Sequence, residues 1–261
     1  MMDFDRMSYA LYRQILSLIK SYGTQIVLGR DIQKKNEFII IRHDVEFSPE
    51  RAYRLSLVET EEGVCSNYFF QIANNTYNIF SKRNMKYITE MQGNGHEIGL
   101  HIQLNGLIEE SCMAEVIQRE LEVMGIMLGT KIRAFSIHRP TPDILKKNIK
   151  LDHVINAYQD DYFTFAENEA DLNTVKVKYI SDARHQWNYG KPDEKMFNQY
   201  KKVQVLTHPY SWTENGYDNL HNFESMIEEK NNELMESIDQ ECKHFNEVKE
   251  VLQKSLIRQS T

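Results

Sequence analysis

Proline is scarce in this chain, five residues in 261, and no stretch gathers it with glycine or serine into a linker. The chain is therefore expected to form a single domain over residues 1–261, with a core over about 38–212 and a C-terminal helical segment over 219–258. Cysteine is scarcer still. Cys65, Cys112 and Cys242 stand far apart with no CxxC pair, and they read as reduced, buried thiols in a reducing compartment. No run reaches the roughly eighteen uninterrupted apolar residues of a spanning helix, so no membrane partner is expected. Basic charge is in deficit, with a formal net charge of −7, which argues against non-specific nucleic-acid binding. The segment Met1-Met2-Asp3-Phe4-Asp5 lacks the basic and apolar regions of a signal peptide, and a cytoplasmic location is the expectation.

What is present is an ordinary globular composition, 41% apolar, enough for a sizeable core. Tyr9 to Tyr22 places Tyr12, Ile15, Leu16 and Ile19 at helical spacing, and Gly23 ends the pattern. Phe38-Ile39-Ile40-Ile41 reads as a buried strand, and Pro49 opens a helix through Glu62. A strand at Tyr68–Ile72, a helix at Ser81–Met91, a strand at Ile98–His101 and a long helix from about Ile108 to Met127 follow. Further strands are expected at Arg133–Ile137, Val154–Ala157, Val175–Ile180 and Val203–Leu206. Strand-then-helix alternation predicts a mostly parallel sheet of about seven strands, either open or closed into a barrel. From Phe223 onward, Met226, Ile227, Leu234, Ile238, Cys242 and Phe245 fall roughly on one stripe of a charged segment. That pattern reads as a helix packed on the core, with dimerisation as the other reading.

Five apolar runs end in polar residues: Arg42-His43-Asp44-Val45-Glu46, His96 to His101, His138-Arg139-Pro140, Asp182 to Trp187, and Thr207-His208-Pro209-Tyr210. In α/β folds chemistry collects where strands end, so the five suggest a common mouth. Alternation puts Asp44 and Glu46 on one face of an extended chain and His43 on the other. His96 and His101 are an odd number apart, so one of them faces the site, and His101, at the end of its run, is the better candidate. His43 and His96 read as hydrogen-bonded structural histidines. Carboxylate plus histidine at a strand end suits a divalent cation such as zinc, with three protein ligands and an open position.

The order Arg-His-Asp-Val-Glu, Gly-His-Glu-Ile-Gly-Leu-His, His-Arg-Pro, Ser-Asp-x-x-x-x-Trp and Leu-Thr-His-Pro resembles the five motifs of the polysaccharide deacetylases, carbohydrate esterase family 4. It is most similar to the branch found with bacterial surface-polysaccharide genes, and the likeness spans roughly Phe38 to Trp212. The resemblance implies a distorted (β/α) barrel flanked by N- and C-terminal helices. It implies a metal-dependent hydrolase that removes an acetyl-like N-acyl group from an amino sugar, using zinc, with cobalt or nickel as alternatives. By position, Asp44 would be the general base, Glu46 and His101 metal ligands, Arg139 the group that holds Asp44, and His208 the acid that protonates the leaving amine. Asp182 would orient His208, and Trp187, Tyr210, Trp212 and Tyr77 are the aromatic candidates for the substrate wall.

Two departures stand out. Glu46 replaces the family's aspartate, and Asn105 stands where a second histidine ligand is usual. Either a third ligand comes from elsewhere, with His43, His185 and His208 as candidates, or metal binding is weak or lost; a chain that binds a sugar or protein partner without catalysis is the competing reading. A glycosidase built on Asp44 and Glu46 is a third reading, which leaves His101 and His208 without roles. A soluble precursor, a nucleotide-activated or lipid-linked amino sugar, is the substrate expected of a cytoplasmic enzyme of this kind.

Overall fold

The computed structural model describes residues 2–22, 25–26, 28, 35–104, 112–164, 175–249 and 251–252. The chain divides into two compact units, Met1–Asp218 and Asn219–Thr261.

The first unit opens with α1 (Tyr9–Tyr22) and the short strand β1 (Gln25–Ile26). Strands β2 (Phe38–Val45), β3 (Asn67–Phe70) and β4 (Glu97–Gln103) follow, separated by α2 (Pro49–Glu61) and α3 (Lys82–Gly93). Then come α4 (Met113–Leu128), β5 (Ala134–His138), α5 (Pro142–Lys146), β6 (Ile155–Asn156), β7 (Lys178–Ser181), α6 (Glu194–Gln199) and β8 (Lys202–Thr207). Helix entry is written in short polar side chains. Ser48, Ser81, Thr141 and Asp193 each accept a backbone N–H from the first turn of α2, α3, α5 and α6. Pro49 and Pro142 sit where a missing N–H costs nothing.

The strands pair in parallel in the order β6-β5-β4-β3-β2-β8-β7, with β1 alongside the start of β2. The sheet curls strongly. Gln204 of β8 donates to the carbonyls of Ala157 (3.0 Å) and Tyr162 (2.7 Å), which follow β6 at the far end of the strand order. The result is the expected distorted barrel, with β6 and β7 as its edges.

Alternation sorts the strand residues. Outward-facing Ile39, Ile41, Val203, Val205 and Ile180 pack with α1 and its neighbours, while Tyr68, Phe70, Ile98 and Leu100 pack with α3 and α4. Inward-facing Ile40, Phe69, Ala134, Ala157 and Val177 fill the floor of the barrel. Gly99 is required there, because a Cβ would stand 2.5 Å from the Phe69 ring and 2.9 Å from the Ala134 carbonyl.

Above that floor lies a charged layer. The Arg42 guanidinium, fully buried, lies 4.2 Å from the centre of the Tyr158 ring, donates to Gln204 (3.1 Å) and grips Asp44 by two bonds of 2.9 and 2.7 Å. Removing one partner of such a pair strands the other charge, which typically costs 3–5 kcal/mol. Arg42→Met is therefore expected to lower unfolding free energy by about 3 kcal/mol. Arg42→Met combined with Asp44→Asn should recover part of the loss. Urea unfolding of the three variants checks this, and a loss below about 1 kcal/mol for Arg42→Met contradicts it.

His43 and His96 lie outside the barrel in a second buried network. Glu59 accepts from the Tyr12 hydroxyl (2.6 Å), Ser66 (2.6 Å) and Tyr68 (2.7 Å) and pairs with His43 Nε2 (2.9 Å). Burial opposes the Glu59 charge, but His43 and His96 outweigh it and hold this carboxyl at about 2. Both histidines are buried and hydrogen-bonded in this network, on the side of the strands away from Asp44. The cysteines differ from expectation: Cys65 and Cys112 are half-buried and Cys242 exposed, all as free thiols.

The second unit is α7 (Asn219–Glu241) followed by a 3-10 turn at Lys243–Phe245. The expected single apolar stripe is split. Met226 and Phe245 are buried, whereas Ile227, Leu234 and Cys242 are exposed. No helix among the described residues is long and apolar enough to cross a membrane.

Candidate metal centre and active site

The C-terminal ends of β2, β4 and β5 bring Glu46, His101 and His138 together, with donor atoms within 4.8 Å of one another. His138 Nδ1 stands 3.0 Å from Glu46 Oε1 and 3.1 Å from His101 Nε2, and His101 Nε2 stands 4.0 Å from Glu46 Oε1. A tetrahedral zinc with bonds of about 2.0–2.1 Å holds its donors about 3.3 Å apart. The three spacings bracket that value, and one carboxylate with two imidazoles is a donor set that catalytic zinc accepts. The residues fit a divalent cation. Burial opposes the Glu46 charge, but the bonds to His101 and His138, with the pull of His208, hold its carboxyl well below the usual range.

Two groups suspected from the sequence are thereby re-placed. The third candidate ligand is His138. His43 is committed to Glu59 and to Thr207 (2.6 Å), and His185 Nε2 lies 2.8 Å from the Tyr217 carbonyl. His208 Nε2 comes only within 3.9 Å of Glu46. Arg139, expected to hold Asp44, is exposed in a left-handed conformation (φ 46°) at the wall of the cavity, and Arg42 takes that place. Parity within a strand places both Arg42 and His138 on the inward face, though it does not place them in contact with their partners. Arg42 shares its face of β2 with Asp44 and Glu46, and His138 shares its face of β5 with Ser136. Asn105 lies outside the described residues.

Asp44 sits one layer below the triad. Burial opposes its charge, but Arg42, with help from His101 and His208, keeps its carboxyl below the usual range. Ser136, whose register partner across the β4–β5 pair is His101, donates to Asp44 Oδ1 (3.1 Å) and lies 2.7 Å from His101 Nδ1. Burial lowers the affinity of His101 for a second proton, and the nearby carboxylates only partly compensate.

On the other side, Asp182 follows β7 and receives four bonds. His208 supplies its backbone N–H (2.9 and 3.0 Å) and Nδ1 (2.7 Å), and Trp212 supplies Nε1 (2.7 Å). Burial pulls the His208 imidazole down, yet its bond to Asp182 and the charges of Asp182, Glu46 and Asp44 win, raising it to about 9. His208 is thus an imidazolium held by one carboxylate and facing another.

A cavity of about 780 Å³ opens over the triad, lined by Glu46, Phe47, Gln71, Asn74, His101 and His138 among others. Of the four aromatic candidates, Tyr210 is the one packed against both His208 and a cavity-lining ring. Its ring meets His208 at 6.0 Å and the cavity-lining Phe47 edge-on at 4.8 Å. Burial, then Asp182 and Glu46, push its phenol up to about 12. The other three are engaged elsewhere. Trp212 is fully buried against Tyr12 (4.9 Å), and Trp187 packs on the same core. Tyr77 spends its hydroxyl on the Val45 carbonyl and the Gln71 N–H, both at 2.8 Å. Phe47, the aromatic that does line the cavity, follows a charged motif and carries no signal of its own in the sequence.

No family model matches the chain, and no curated protein matches it. Solved structures similar to it include a family 4 carbohydrate esterase from Bacillus anthracis, at 14% identity over 83% of this chain and 84% of that one, with a TM-score of 0.41. A CE4 family pseudoenzyme from the same organism is 12% identical over 81% of this chain and 65% of that one, with a TM-score of 0.39. The chitin deacetylase of the fungal pathogen Colletotrichum lindemuthianum is 14% identical over 80% and 87%, with a TM-score of 0.38.

Proposed function

We propose that this chain is a carbohydrate deacetylase of the carbohydrate esterase family 4 kind, a metal-dependent hydrolase that removes an N-acyl group from an amino sugar. The observation that carries the reading is the convergence of Glu46, His101 and His138 at one cavity, with a protonated His208 3.9 Å from Glu46. Glu46 Oε1, His101 Nε2 and His138 Nδ1 would hold the cation, zinc first among the candidates. When bound, it supplies a Lewis acid and a source of hydroxide near neutral pH.

The chain's own residues then divide the proton work. Asp44 is the base. Its Oδ1 is occupied by Arg42 Nε and Ser136, while Oδ2 takes one bond from Arg42 and keeps a lone pair for the proton of the attacking water. His208 gives its Nε2 proton to the departing amine, while Asp182 holds Nδ1 and so fixes the ring. Phe47, which lines the cavity with Tyr210 packed edge-on against it, offers a ring face to a sugar. The substrate we favour is a soluble amino-sugar precursor, nucleotide-activated or lipid-linked, of bacterial surface polysaccharide in the cytoplasm. Among the competing readings the glycosidase fits least. It needs one carboxyl kept protonated, and Asp44 and Glu46 are both held ionised.

The test is acetate release from a panel of N-acetylated sugars and nucleotide sugars by protein loaded with zinc or cobalt. Asp44→Asn is expected to lower turnover by ~10²-fold or more at unchanged metal content. Loss of metal along with activity makes Asp44 a ligand and ends its assignment as the base. No release from any substrate, with metal bound, favours the binding-protein alternative.

A further inference from the structure

We infer that Ser136 is a positioning residue that sets the tautomer of His101, leaving Nε2 bare for a metal ion. The inference rests on the metal-assisted reading of the site but not on the reaction assigned to it. His101 and Ser136 are register partners on adjacent parallel strands, so both side chains project from the same face of the sheet. Both are buried, and the serine hydroxyl lies between His101 Nδ1 (2.7 Å) and Asp44 Oδ1 (3.1 Å).

A hydroxyl has one proton to give, and a carboxylate gripped at both oxygens by a guanidinium has none. If Ser136 gave its proton to His101, two bare oxygens would face each other at 3.1 Å in a buried layer. For a neutral imidazole the only satisfied arrangement runs from His101 Nδ1–H to Ser136 and from Ser136 to Asp44. The second nitrogen of His101 then carries a lone pair, and that nitrogen is the one facing His138 and Glu46. Arg42 closes the relay at its far end by denying Asp44 a proton. A metal-ligating imidazole needs this kind of outer partner, and losing it typically weakens metal binding by ~10–100-fold.

The test uses the full chain, zinc as the probe, and two readouts that do not involve turnover. In metal-free protein labelled on histidine nitrogen, His101 is expected to show a protonated Nδ1 and a bare Nε2. Ser136→Ala should convert this to a mixture of tautomers and weaken zinc binding by ~10-fold or more, and Ser136→Thr, which restores the hydroxyl, should recover most of the affinity. A wild-type His101 protonated on Nε2 overturns the inference, as does a Ser136→Ala protein that binds zinc like wild type. If Ser136→Ala fails to fold, the wild-type spectrum alone decides. A protein that shows the relay and binds zinc but deacetylates nothing sinks the proposed function and leaves the relay standing.

Discussion

Replacing His138 with alanine is expected to abolish stoichiometric zinc binding, lowering affinity by ~10³-fold or more, and to remove hydrolysis with it. The argument is one of ligand count. Glu46 and His101 alone are two protein donors, and two donors hold a divalent ion poorly against water and buffer. His138 would close the set from the neighbouring strand, 3.0 Å from one donor and 3.1 Å from the other. The same substitution at His43 or His185 should leave zinc affinity unchanged, because those rings are engaged with Glu59 and with the Tyr217 carbonyl. Equilibrium titration of the three variants against zinc and cobalt, with elemental analysis of each as purified, measures the difference. Retained micromolar zinc binding by His138→Ala, or its loss in His185→Ala, would mean that the ligands are drawn wrongly.

The route to His138 shows where sequence reasoning reaches and where it stops. Strands such as Phe38–Val45 and Lys202–Thr207 declare themselves through apolar runs, and their alternation with helices specifies a parallel sheet. Strand β1, two residues long, and helices α5 and α6, five and six residues long, are too short to show a period, so they left no trace. Within one strand, parity is readable: it placed Asp44 and Glu46 together, and applied to Arg42 it gives the third member of that face. Across strands, contact depends on register and curl. His138 pairs in register with Gln103, two residues past His101, and the curl of the sheet turns its ring toward Glu46. No local pattern encodes that approach. Aromatics fail for a related reason. Trp212 follows the His-Pro motif and reads as a wall for a sugar, yet the space it fills is core and its Nε1 braces Asp182. A side chain that binds substrate and one that positions a catalytic group look alike until the neighbours are known.

His208 carries the other large effect. Its imidazole is expected to titrate at about 9 in the metal-free protein, followed by NMR, because burial is outweighed first by the bond and charge of Asp182 and then by Glu46 and Asp44. The sign follows from the direction. The protonated ring stabilises the fold fully below the ordinary imidazole range, and that contribution is lost as pH rises through about 9. Catalysis takes the same direction, since a general acid works only while it holds its proton. The basic limb of kcat/KM should report His208, falling as pH rises. A cation on Glu46 takes one negative charge out of the sum, so the loaded enzyme should show this limb below the metal-free value, with Asp182 sustaining what remains. Asp182→Asn is then expected to move the limb toward acid by ~1 pH unit or more. His208→Gln should lower turnover by ~10³-fold with zinc content unchanged. If His208 instead titrates near 6.5 in wild type, or if His208→Gln retains turnover, the leaving amine takes its proton from solvent. The Asp182–His208 pair would then serve only to tie the end of β8 to the end of β7, a task its backbone N–H bonds to Asp182 already perform.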